Sequence, residues 1–132
     1  MTRGTLVLQG GGPFTDNDEL DRRMLAGIER VVVLPTADAF EQPHDMITSA
    51  QAWGARLGVE VEPLMVLTRI QATDEAARVV AAAQAVFLAG DSANHLRSVL
   101  KDTSLLAAIE GVLAGGGLVI AAGSSAAALC DP

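Results

Sequence analysis

Hydrophobic positions along this chain fall into short unbroken runs, separated by longer stretches in which they recur every third or fourth residue. The unbroken runs are Thr5-Leu6-Val7-Leu8, Arg30-Val31-Val32-Val33-Leu34, Val59-Glu60-Val61-Glu62 with the stretch to Leu67, Ala85-Val86-Phe87-Leu88, and Leu118-Val119-Ile120-Ala121. Such runs, rich in Val, Ile and Leu, predict strands that are covered on both faces. The third opens with Val and Glu alternating, which predicts a place nearer a sheet edge.

The intervening stretches carry the helical period. Leu20, Met24 and Ile28 are spaced to share one helix face, and Met46, Ala50, Trp53 and Leu57 to share another, with Pro43 in the first turn of the second helix. Thr73-Asp74-Glu75 places a capping side chain and two acids at the positive end of a third helix. Leu96, Val99 and Leu100 predict a short helix after the fourth strand. Asp102-Thr103-Ser104 then caps one whose buried side is Leu105, Ile109, Val112 and Leu113.

Strand followed by helix, repeated along the chain, predicts an α/β fold: an open, mostly parallel sheet of about five strands with helices on both faces, in a single domain over residues 1–132. Right-handed crossovers put every strand-to-helix turn at one edge, where ligands of such sheets bind. Three turns are candidates there: Gln9-Gly10-Gly11-Gly12-Pro13, Ala89-Gly90-Asp91-Ser92, and Gly123-Ser124-Ser125-Ala126-Ala127.

Composition narrows the partners. Half the residues are hydrophobic but only 3% are aromatic, so the core must be aliphatic. A net charge of -7 with no local Lys/Arg cluster argues against nucleic acid. Cys130 is the only cysteine, which rules out an internal disulfide and fits a reducing compartment; the cytoplasm is the expected location. The run from Gly111 to Cys130 carries no charge, yet Gly115-Gly116-Gly117 and Gly123-Ser124-Ser125 interrupt it, so no membrane span is expected. His44-Asp45 and Asp16/Asp18/Glu19 lack a second half of a metal site, and neither a metal nor any other cofactor is expected. The sequence is compatible with a homo-oligomer.

The third turn carries the strongest chemical signal. A serine at a sharp strand-to-helix bend is pushed clear of the backbone and needs small neighbours, the arrangement written G-x-S-x-G. Gly123-Ser124-Ser125-Ala126-Ala127 fits with alanine in the last place. Ser125 is thereby the candidate nucleophile, and the N–H of Ala126 a candidate oxyanion donor at a helix start. The plainer role for Ser124 or Ser125 is a helix N-cap.

Two turns together bring a family into view. The run Val86-Phe87-Leu88-Ala89-Gly90-Asp91-Ser92 is similar to the F-x-G-G-D/N-Q segment of the cyanophycinase and dipeptidase E family of serine peptidases. The stretch from Gly116 to Ala128, centred on Gly123-Ser124-Ser125-Ala126-Ala127, resembles the same family's G-T/S-S-A-G-A segment, and the triplet Gly10-Gly11-Gly12 its opening. Ala89, Ser92 and Ala127 depart from the pattern. The resemblance implies a class I glutamine-amidotransferase-like fold and a Ser-His-acid peptidase acting on a small peptide, either an aspartyl dipeptide or an arginyl-aspartate polymer. It makes Ser125 the nucleophile, Gly90 and Ala126 the oxyanion donors, and Gly11, Gly12, Asp91 and Ser92 the substrate-binding residues.

A serine needs a base, and the base a third group to hold it. The family's partners follow the serine, whereas this sequence ends at Pro132, so it is expected to be the N-terminal part of a longer hydrolase and inactive alone. The histidines present are His44, expected to be solvated, and His95, expected to be an exposed helix residue. Arg97 and Lys101, the nearest cations to the Asp91 turn, are expected to face solvent. The rival reading is an inactive module binding a small anion or nucleotide, although the glycine triplet lacks the third glycine of G-x-G-x-x-G and Pro13 removes a donor.

Overall fold

The computed structural model describes residues 4–10 and 12–122. Five strands form one sheet: β1 (Thr5–Gln9), β2 (Arg30–Ala37), β3 (Glu60–Pro63), β4 (Ala85–Gly90) and β5 (Leu118–Ala122). Their order is β1-β5-β4-β2-β3, and every pairing is parallel. The helices are α1 (Asp18–Met24), α2 (Pro43–Leu57), α3 (Asp74–Ala81), α4 (Ala93–Leu100) and α5 (Ser104–Ala114).

The direction of travel decides which face each helix covers. From β1 the chain moves to β2 and then β3; from β3 it returns to β4 and β5. Right-handed crossovers put the outward helices on one face and the returning helices on the other. Val31, Val33, Phe87 and Ile120 accordingly pack under α1 and α2, with Leu25, Ala50 and Trp53. Val32, Leu34, Val86, Leu88 and Val119 pack under α3, α4 and α5, with Val80, Leu96, Leu105 and Ile109.

Thr73 and Thr103 cap α3 and α5 as their positions predict, accepting from the N–H groups of Ala76 and Leu106. The edge position of β3 also agrees with its alternating sequence. Residues 111–122 are the end of α5, a glycine turn and β5, and no helix among the described residues is long and apolar enough to cross a membrane.

Three expectations need correction. Leu20 does not line the buried face of α1 but is 48% exposed, and Ile28 lies beyond the helix; the residues turned inward are Asp21 and Leu25. The first strand is not covered on both faces. Paired among the described residues only with β5, it leaves Leu6 and Leu8 at 39% and 51% exposure on the side away from α1. The aliphatic core has an aromatic centre, because three of the four aromatic residues meet on one face. The Phe14 ring lies 5.1 Å from that of Trp53 and 4.4 Å from that of Phe87. Phe14 reaches this centre from a left-handed backbone conformation, φ 67°, in the turn after β1.

Candidate functional site at the carboxyl edge

The strand order carries the geometry of the site. β5 lies between β1 and β4, so its end at Ala122 is flanked by the glycine turn after β1 and by the Gly90-Asp91-Ser92 turn after β4. Gln9 pairs with Ala122 across one side of β5, and Leu88 with Ala121 across the other. The turns after β1 and β4, which the sequence separates by scores of residues, thus stand on either side of the end of β5. Ser125, Ala126 and Gly11 lie outside the described residues.

Gly12, Gly90, Asp91 and Ser92 can be placed. The Gly12 N–H donates to the Asp16 carboxylate at 2.6 Å, and the Asn17 side chain donates to the Gly10 carbonyl at 3.1 Å, so the glycine turn is tied down by its own polar residues. Gly90 is the last residue of β4, in register with Ala37 of β2, and its φ is +122°. A Cβ there would sit 2.4 Å from the Asp38 nitrogen and 2.5 Å from the Ala37 carbonyl carbon, a contact only glycine permits. The Ser92 N–H donates to the Ala37 carbonyl at 2.8 Å, which locks the turns after β2 and β4 together. Ser92 also caps α4, its hydroxyl accepting from the His95 N–H at 3.3 Å. Asp91 is exposed.

The turn after β2, absent from the three sequence candidates, contributes as much. Chains leaving β2 and β4 depart to opposite faces, so the gap between them is the topological switch point of the sheet. Asp38 is buried there. Desolvation pushes its carboxyl above the ordinary range, a bond from the Gln42 N–H opposes this, and the charges of Glu41 and Asp91 add to the rise. Asp38 follows β2 much as Asp91 follows β4, a parallel visible in the sequence.

His95 is not an exposed helix residue. It is half-buried; its Nε2 bonds the Leu67 carbonyl at 2.7 Å, and its ring lies 4.5 Å from that of Phe40, which is itself 81% exposed. Because a carbonyl only accepts, Nε2 carries the hydrogen. Leu67 follows β3, and β4 and β2 lie between β3 and β5. Three spacings of ~4.8 Å separate β3 from β5 by roughly 14 Å, and the bond to Leu67 turns the His95 ring toward the β3 side. His44 is exposed on α2, as expected. Arg97 is half-buried rather than solvent-facing, and its guanidinium donates to Asn94 Oδ1 at 3.4 Å; Lys101 is exposed. Among the described residues no three His, Cys, Asp or Glu side chains gather as metal ligands.

A cleft of about 510 Å³ opens at the other edge of the sheet, where the strands begin. Thr5, Met24, Ile28, Gln84, Gly117 and Leu118 line it, and it holds no charged side chain, so it offers no acid, base or anion partner. Asp38, Glu41 and Asp91 lie at the carboxyl edge instead.

Two solved structures share this fold. A peptidase from an acI-B1 Actinobacterium superposes with a TM-score of 0.83 at 23% identity, over 91% of this chain and 54% of that one. A Listeria monocytogenes EGD-e protein with a provisional peptidase E designation gives 0.74 at 22% identity, over 93% of this chain and 60% of the other. The chain thus spans little more than half the length of these structures. No curated protein matches the sequence. Residues 6–131 match the pattern of one family, from the first strand through the serine turn. The chain belongs to peptidase family S51.

Proposed function

We propose that this chain carries the nucleophile-bearing part of a serine-type peptidase, with Ser125 attacking the carbonyl carbon of a peptide bond. The N–H groups of Gly90 and Ala126 take the developing oxyanion, and the acyl-enzyme that forms is released by water. Asp91 and Ser92 on one side, and Gly11 and Gly12 on the other, bind the substrate. The observation that carries this reading is the placing of β5 between β1 and β4, which makes the flanking turns converge where the family pattern puts its serine.

We assign the proton acceptor to polypeptide outside this sequence, because the His95 ring is bonded to the Leu67 carbonyl on the β3 side and His44 is exposed on α2. Charge points to the substrate class. Asp38, Glu41 and Asp91 disfavour an aspartyl side chain at the switch point and favour a cationic one, so an arginine-containing aspartyl peptide is the better fit of the two substrates the resemblance implies. The anion- or nucleotide-binding alternative fits less well, since the same carboxylates would repel it and the Gly12 N–H is already engaged by Asp16.

The test is hydrolysis of β-aspartyl-arginine and of α-aspartyl dipeptides by the full gene product and by its Ser125→Ala variant. Turnover of the arginine peptide that the variant abolishes is the expected result. Turnover that survives in the variant, or none of any peptide, would refute the assignment.

A further inference from the structure

The turn after β2 holds a phenylalanine out of the core. Phe14 and Phe87 are fully buried, whereas Phe40 is exposed. A lone exposed apolar side chain is ordinary, but this one is held in place. Its ring packs against that of His95 at an interplanar angle of 59°. His95 is itself fixed, by its place in the first turn of α4 and by the bond from Nε2 to the Leu67 carbonyl. The turn after β2, the chain after β3 and the start of α4 thus join to support one aromatic ring whose remaining surface faces solvent.

The charge around that ring is negative. Asp38 lies two residues before it, Glu41 directly after it, and both Glu41 and Asp91 act on the Asp38 carboxyl. None of these three acids takes part in the ion pairs among the described residues. Arg97, the one cation of α4, has its guanidinium on Asn94 Oδ1. The face of a phenyl ring is also negative, so ring and carboxylates attract the same kind of group, a cation. A guanidinium answers best, because it is planar and stacks on an aromatic face. Distance is compatible as well. β2 lies two strand spacings, roughly 10 Å, from β5, a gap that a side chain of arginine's length can bridge from a peptide bound at the end of β5.

We propose that Phe40 is a specificity-determining residue, its His95-supported ring being the surface on which a cationic side chain of the substrate lies beside Asp38, Glu41 and Asp91. The proposal rests on the peptidase reading and adds to it the residue that selects a cation by its aromatic face. Because Phe40 is on the surface, it can be replaced without disturbing the core.

The experiment uses the full gene product as wild type, Phe40→Leu and Phe40→Trp, with β-aspartyl-arginine and its neutral isostere β-aspartyl-citrulline as substrates. Wild type is expected to prefer the arginine peptide. In Phe40→Leu the ratio of the two kcat/KM values should fall about 5- to 30-fold, through KM rather than kcat. Phe40→Trp keeps an aromatic face and should hold or raise the ratio. A ring that serves only to pack on His95 predicts that Phe40→Leu affects both peptides alike. A Phe40→Leu ratio within twofold of wild type, a Phe40→Trp ratio as low as that of Phe40→Leu, or no wild-type preference for arginine would overturn the proposal. If wild type turns over neither peptide, the peptidase reading falls and calorimetry with L-arginine amide and L-citrulline amide decides. Selective binding of the arginine amide that Phe40→Leu weakens would uphold the aromatic surface, and binding equal in both proteins, or none, would overturn it.

Discussion

Replacing Gly90 with alanine perturbs the contact that joins the two turns at the switch point. The added Cβ meets the Asp38 nitrogen at 2.4 Å and the Ala37 carbonyl carbon at 2.5 Å, both backbone atoms of β2 and its turn that no side-chain rotation can move aside. A φ of +122° is itself strained for alanine, at about 1–3 kcal/mol. Forcing the strands apart adds about 1–3 kcal/mol, the range for overpacking a tight interior. Taking about 4 kcal/mol for the two together, a domain of this size should melt about 12 °C lower. The assay is thermal unfolding followed by circular dichroism, with Gly10→Ala as control, since a Cβ there meets nothing within 4 Å. A Gly90→Ala protein melting within ~3 °C of wild type would refute the claimed contact between the turns.

Other substitutions probe the same framework. Gly111→Ala on the exposed side of α5, where a Cβ meets nothing within 4 Å, should stabilise the protein by about 0.5–1 kcal/mol in urea titration. Trp53→Phe removes one of the two donors to the buried Asp21 carboxylate and should cost about 1–3 kcal/mol by the same measurement. The two acids of α1 should act oppositely with pH. Burial raises Asp21 in the folded state despite the bonds from Gln9 and Trp53, so its contribution to stability falls as pH rises above about 3.8, and Asp21→Asn should remove that decline. The bond from Arg56 lowers Asp18, so its contribution is present above about 3.8 and is lost as pH falls through the lower folded value. Arg56→Met should flatten that acid limb of the melting-temperature profile.

The runs of Val, Leu and Ile located all five strands, because a strand buried between two helix layers has no polar face to interrupt it. Helix starts were equally legible where a threonine hydroxyl caps them, at Thr73 and Thr103. Periodicity failed at α1, since it sees only apolar positions and the inward side of that helix is held by Asp21. The spacing of Asp21 four residues before the buried Leu25 was the only hint. The open face of β1 was also hidden: Leu6 and Leu8 have the composition of a central strand, and nothing local records that β1 is an edge strand among the described residues. The candidate site was half legible. The turns after β1 and β4 were found from their glycines, whereas the turn after β2 was missed because Asp38 and Phe40 belong to no glycine motif. Only the long-range order β1-β5-β4-β2-β3 places that turn against Gly90.

The central claim is that acyl chemistry occurs at the carboxyl edge, on a serine flanked by the turns after β1 and β4. The most direct measurement is a crystal structure of the full gene product after reaction with a fluorophosphonate. The account predicts phosphorus bonded to Ser125 Oγ, with its oxygen facing the Gly90 turn. Phosphorus on another residue, or a probe seated in the cleft lined by Gln84 and Gly117 at the opposite edge, would contradict it.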